Sequence, residues 1–152
     1  MQTVEEMARE VRDGDLRLEL AGYEVNAIHR VPTWSFCMVH AETGEELGTV
    51  RLRVGDSRHV VMYAGHVGYS VEERHRGHRY AERALRLLLP VARRLGVETL
   101  WVTCDPENVA SRKTLERFGA EFVETVGVPP DCVIFQSGHP RKCRYRIDLV
   151  TD

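Results

Sequence analysis

The feature that most constrains this chain of 152 residues is a change of hydrophobic period around residues 71–81. Upstream, Val50, Leu52 and Val54 alternate with Thr49, Arg51 and Arg53, the two-residue period of a strand. Downstream, Ala81, Ala84, Leu85, Leu88, Ala92 and Leu95 share one face at helical spacing. The join between them reads Val71-Glu72-Glu73-Arg74-His75-Arg76-Gly77-His78-Arg79-Tyr80-Ala81. A helix start leaves several backbone N–H groups without acceptors and carries partial positive charge. Gly77 lets a ligand approach the backbone, and Arg76 and Arg79 add two permanent cations. Together these predict a cradle for phosphate or pyrophosphate.

Two other readings compete. One is a solvated basic helix start with no ligand. The other is a nucleic-acid contact through Arg74, Arg76, Arg79, Arg83 and Arg86, against which Glu72, Glu73 and Glu82 interleave and no aromatic platform stands. The absence of Gly-Lys-Ser/Thr excludes a P-loop, and the absence of Gly-x-Gly-x-x-Gly excludes the dinucleotide fingerprint.

The rest of the chain reads as a mixed α/β (α+β) domain covering residues 1–152. A short helix is expected over residues 4–12 and a strand from Leu16, with residues 21–33 left unassigned and Pro32 marking a loop or an edge. Residues 34–41 and 47–54 form a hairpin around a turn at 42–45. A strand over residues 60–71 is expected to be interrupted at Gly65 and Gly68. The long helix ends at Gly96 and is expected to kink or break at Pro90. Residues 97–104 are an apolar strand, and a second helix runs from Asn108 to Phe118 before Gly119. Strand 121–128, an irregular connection over 129–141 and an alternating last strand from Cys143 complete the chain.

Composition narrows the classes of function. Hydrophobic residues at 43% and charged residues at 29% suit a globular fold, and a net charge of −2 gives no global pull toward nucleic acid or an anionic membrane. No apolar run approaches the ~20 residues of a membrane span, and the acidic, polar start is unlike a secretory signal. The four cysteines form no Cys-x-x-Cys pair and the seven histidines have no metal-type spacing, so no metal is expected. Reduced cysteines and a cytoplasmic location follow as the expectation.

The junction resembles motif A of the GNAT (GCN5-related) N-acetyltransferases, Val-x-x-x-x-Arg-Gly-x-Gly-x-Gly/Ala between a strand and a long helix. It is present as Val71, Arg76, Gly77, His78, Arg79, Tyr80 and Ala81, with Arg79 where the family usually has glycine. A residue inside the helix needs no positive φ, so arginine is expected to be tolerated there with its side chain outward. The segment from Thr103 to Ala120, with Asn108 and Ser111 at a helix start, resembles motif B. Taken alone, Asn108 and Ser111 read as helix-capping residues. The resemblance covers roughly residues 46–128. It implies a mostly antiparallel sheet with helices on both faces and a V-shaped splay between two central parallel strands. It also implies acetyl-CoA as co-substrate, its pyrophosphate on the motif A amides, and Asn108 and Ser111 near the pantetheine and phosphates.

Chemistry follows from the same resemblance. A primary amine of a small molecule or peptide attacks the thioester directly. Pantetheine pairs like an added strand with the edge at residues 68–71. An N–H near Tyr69 or Val71, freed by a bulge, is expected to stabilise the carbonyl oxygen. His66 is the expected base, with Glu46 and Asp105 behind it. The helix tyrosine that often serves as the acid is Leu115 here, so Tyr69, Tyr145 or water takes that role, and a CoA-binding sensor with little or no catalysis is the alternative function. Val133, Ile134 and Phe135 are expected to line the acceptor pocket or to anchor their loop, and a homodimer is left open.

Overall fold

The computed structural model describes residues 2–25 and 29–149. Helix α1 (Val4–Glu10) starts at Thr3, whose side chain accepts from the Glu6 N–H at 3.1 Å, and it buries Met7 and Ala8. Eight strands follow in one sheet: β1 (Arg12–Asp13), β2 (Leu16–Val25), β3 (Pro32–His40), β4 (Glu46–Arg53), β5 (Val67–Val71), β6 (Thr99–Cys104), β7 (Glu121–Gly127) and β8 (Arg141–Asp148), in the spatial order β1-β2-β3-β4-β5-β6-β8-β7. Helix α2 (Tyr80–Arg94) joins β5 to β6, α3 (Val109–Phe118) joins β6 to β7, and a one-turn α4 (Val133–Gln136) lies between β7 and β8. Every neighbouring pair is antiparallel except β5 and β6.

Leu100, Val102 and Cys104 on β6 and Cys143, Tyr145 and Ile147 on β8 face one core with α2 side chains such as Leu85 and Leu88, Met7 of α1 and Leu115 of α3. The opposite face has lighter cover, a π-helical turn over Val60–Ala64. Thr103 Oγ1 donates to Tyr63 O at 2.8 Å there, and the buried Arg144 donates to Val61 O at 3.2 Å while its guanidinium stacks 4.0 Å from the Trp101 ring centroid. Helical cover is therefore on both faces, but unequal.

Three expectations change. Val60 to Tyr63 is rich in β-formers, yet it turns as a π-helix rather than extending β5. Gly65 is the reason: its φ is +77°, and a Cβ there would meet Thr103 N at 3.0 Å and Trp101 O at 3.1 Å, so the chain pivots against β6. Pro32, read as a loop or edge, is the first residue of β3 and pairs with Val25, a place where its missing N–H is tolerated. Of the kink or break expected at Pro90, the break is absent, since helix α2 continues through it; the carbonyl that loses its partner belongs to Arg86, which is exposed. Part of the unassigned segment, residues 26–28, lies outside the described residues.

The strand pairing positions the site. β4 and β5 run in register from Gly48↔Val71 to Leu52↔Val67, whereas β5 and β6 share the single bridge Val67↔Val102 and then separate. His66 closes the near end of this seam: its N–H donates to Trp101 O at 2.7 Å, and its Nδ1 accepts from the Trp101 N–H at 2.9 Å. Arg53 N donates to His66 O and Glu72 N to Leu47 O, so Tyr69 and Val71, odd where those are even, turn their backbone groups away from β4 toward the gap. The free amides arise from strand separation; the expected bulge in β5 is absent, because the β4–β5 register is regular.

Candidate active site

A cavity of about 990 Å³ opens between β5, β6, the starts of α2 and α3, and the segment before β8. At its α2 end, Gly77 has φ +96° and nothing within 4 Å of where a Cβ would stand. Arg76 donates from Nε to Val71 O at 3.2 Å, which ties the turn to the end of β5. Arg79 is the N-cap of α2, with φ +60° and no side-chain hydrogen bond to the helix start. The expectation that Arg79 lies within the helix and needs no positive φ is corrected here. It occupies the left-handed region that favours glycine, at a cost of about 1–2 kcal/mol.

The five clustered arginines separate by partner. Arg74 pairs with Glu45 at 3.2 Å, Arg83 with Asp13 at 3.0 Å and Asp15 at 2.5 Å, and Arg86 approaches Glu82 at 4.0 Å. Glu82, the one acid in the first turn of α2, is also engaged by Arg117 at 3.0 Å. Among the described residues only Arg76 and Arg79 of the cluster lack a carboxylate. The positive charge left over is local, at the helix start, rather than spread in a stripe as a nucleic acid would need.

The cavity wall includes Tyr69, Val71, Arg76, Gly77 and Arg79, then Tyr80, Ala81, Asn108 and Ser111. His66 and His78 are not on it. His78 is exposed, with its ring centroid 5.3 Å from that of Tyr80. The expectation of His66 as base conflicts with its geometry. It is 1% exposed, and with Nδ1 taken by Trp101, Nε2 carries the proton and faces Gly55 O at 3.2 Å and Asp56 Oδ1 at 3.3 Å. Burial lowers its pKa against the opposing pull of Asp56, so it stays neutral as a strand clasp.

Other side chains supply the chemistry that reaches the cavity. The Tyr69 hydroxyl lies 2.8 Å from Ser111 Oγ, and burial pushes its pKa up to about 12 despite that bond. Cys104 is also on the wall, and burial pushes its thiol up to about 11, so the sulfur is protonated near neutral pH. Asp105, at the end of β6, meets His139 Nδ1 at 2.6 Å and Lys142 Nζ at 3.0 Å. Burial raises the Asp105 carboxyl, but Lys142 and His139 outweigh it and hold the group below its usual range. Sequence reasoning missed His139: it lies 34 residues from Asp105 in an irregular connection, and no local pattern announces the pair. Val133, Ile134 and Phe135 are not on the wall, and Val133 and Phe135 are exposed; that connection contributes His139, and β8 adds Lys142. Tyr145 is buried behind α3 with its hydroxyl toward Arg112 and Glu116, and Glu46 is likewise off the wall. Among the described residues no group of three or more His, Cys, Asp or Glu side chains is gathered to hold a metal, and no helix is long and apolar enough to cross a membrane.

The family model for an acetyltransferase (GNAT) domain matches residues 3–121. The chain belongs to the GNAT family. Its fold matches that of a GNAT acetyltransferase from Bacillus anthracis (TM-score 0.60, 16% identity, 76% of this chain and 66% of that one). It also matches RimL, a ribosomal L7/L12 α-N-protein acetyltransferase (0.60, 15%, 79% and 72%), and the microcin C7 self-immunity acetyltransferase MccE in complex with acetyl-CoA and AMP (0.59, 14%, 76% and 61%). This GNAT chain thus spans about two thirds of the length of those structures. No curated protein sequence matches it.

Proposed function

We propose that the chain is an acetyl-CoA-dependent N-acetyltransferase that acts on a primary amine of a small molecule or peptide. The observation that carries this is the uncapped start of α2, where Arg76 and Arg79 have no carboxylate among the described residues, opening onto a cavity that continues along the free edge of β5. Bound there, acetyl-CoA would supply an activated acetyl thioester. The backbone from Gly77 to Ala81, with Arg76 and Arg79, would hold its pyrophosphate. Tyr69 and Val71 would pair with the pantetheine amides as β4 pairs with their neighbours, flanked by Asn108 and Ser111.

The protonated Cys104 thiol is unsuited to carrying an acyl group, which favours direct transfer. His139, oriented through Nδ1 by Asp105, leaves Nε2 to take the amine proton. The Tyr69 hydroxyl stays protonated at neutral pH and is the donor in the cavity, in place of the tyrosine position that Leu115 fills. The ribosomal-protein acetyltransferase among the structural neighbours is in keeping with a peptide amine as acceptor.

Thermal unfolding with acetyl-CoA tests the cofactor. At ~100 times its Kd the ligand adds about 2.7 kcal/mol of stability, and absence of any shift rejects the reading. Thiol release with a panel of amines then tests the transferase, and a shift without release leaves the CoA-binding sensor.

A further inference from the structure

We propose that the acceptor amine carries a carboxylate and that Arg53 is the residue that recognises it; this rests on the acetyltransferase reading above. Arg53 is the last residue of β4, and its side chain forms part of the cavity wall. The guanidinium lies across Gly68, where a Cβ would meet Nη2 at 3.4 Å, so the missing side chain of Gly68 provides its seat. Nη1 donates to Ala64 O at 3.3 Å and to Gly65 O at 3.0 Å. Nε is buried without a partner, and Nη2 has none among the described residues.

Arg53 combines burial with a place on the cavity wall and an unneutralised charge. Arg74, Arg83, Arg117, Arg141 and Arg144 each have a carboxylate within 4 Å, and Arg53 has none among the described residues. Among the described residues Asp105 is the one acid on the cavity wall, and His139 and Lys142 already take it. The surroundings of Arg53 are cationic. Burial and Arg51 lower its own pKa to about 10, and burial followed by Arg53, His59 and Arg51 push His29 down to about 4. A largely desolvated guanidinium is costly without an anion. Here the described residues supply none, and the free nitrogen borders the space the acceptor would enter.

Position excludes the cofactor pyrophosphate as that anion. The Arg53 N–H donates to His66 O at the closed end of the β5–β6 seam, whereas Arg76 and Gly77 follow the other end of β5. The strand separates the two by roughly 13 Å. With Nη1 committed to two carbonyls and Nε buried, Nη2 is the nitrogen left for a ligand, which suits one oxygen of a singly charged carboxylate better than a phosphate.

The experiment compares kcat/KM for matched acceptors: amino acids against their amides, and peptides beginning with Asp or Glu against those beginning with Asn or Gln. The expected result is a preference for the carboxylate member of at least one pair of about tenfold or more. Arg53→Gln brings that ratio near one, mainly through KM, while the acetyl-CoA thermal shift is unchanged. Arg53→Lys restores part of the preference. Equal use of both members, exclusive use of neutral amines, or an equal loss on both in Arg53→Gln overturns the inference. The wild-type ratio needs no variant to fold. If acetyl-CoA shifts the melting temperature but no carboxylate-bearing amine is consumed, this inference fails and the cofactor reading stands; if the shift is absent, the cofactor reading itself fails.

Discussion

Helices α2 and α3 both begin at the same cavity, and they treat their exposed amides in opposite ways. At α3, Asn108 Oδ1 accepts from the Ser111 N–H at 3.1 Å, an N-cap of the ordinary kind. At α2 the cap residue is Arg79, which offers no acceptor, and the nearest acid, Glu82, is drawn to Arg117 and Arg86. Both helices have a dipole. What distinguishes an anion site from a plain helix start is whether the chain has already used the donors.

The sharpest way to break this contrast is Gly77→Val. A β-branched residue at φ +96° is strained by about 1–3 kcal/mol, and its side chain would enter the open space in front of the α2 amides. We expect CoA affinity to fall ~100-fold or more, the sum of that strain and a lost phosphate hydrogen bond; calorimetric titration that finds near-normal affinity would move the anion site elsewhere. Next comes Arg76→Ala, which should weaken CoA by roughly 10–100-fold, the worth of a charge-assisted contact. A pantetheine analogue without the pyrophosphate should bind the variant and the wild type alike, and an equal loss on both would assign Arg76 a structural role through Val71 O.

Asn108→Ala carries the opposite expectation: urea unfolding should show a loss of about 1 kcal/mol, with CoA affinity nearly unchanged. An affinity loss as large as that of Arg76→Ala would erase the distinction between the two helix starts. The smallest effect is expected for Arg79→Gly. Relief of the left-handed conformation should raise unfolding stability by up to about 1 kcal/mol, with a modest weakening of CoA as one cation is lost. A destabilised Arg79→Gly would mean that its side chain holds the turn by contacts of its own.

Legibility followed sequence distance. The α3 cap, Gly119 at its end, the hairpin around residues 42–45 and the junction at Gly77 were readable because each is settled by a few neighbouring residues. Arg79 was misjudged because the family pattern marks its position but not its φ, which is that of the cap and not of the helix. The run from Val60 to Tyr63 was read as a strand from its composition, and the fit of Gly65 against β6 overrode that preference. His66 looked like a base because it precedes the splay; its burial and its hydrogen bond from Trp101 N–H, 35 residues away, make it a clasp.

The sequence by itself determined that a strand would feed a long helix through a glycine-containing basic turn, since periodicity and backbone freedom are local properties. Tertiary structure alone decided which charges remain unspent. Glu82 is taken by an arginine of α3, Asp105 by His139 just before β8 and Lys142 at its start, and Arg53 by no carboxylate among the described residues. Such assignments depend on which strands lie side by side, and charge is neutralised through space rather than along the chain.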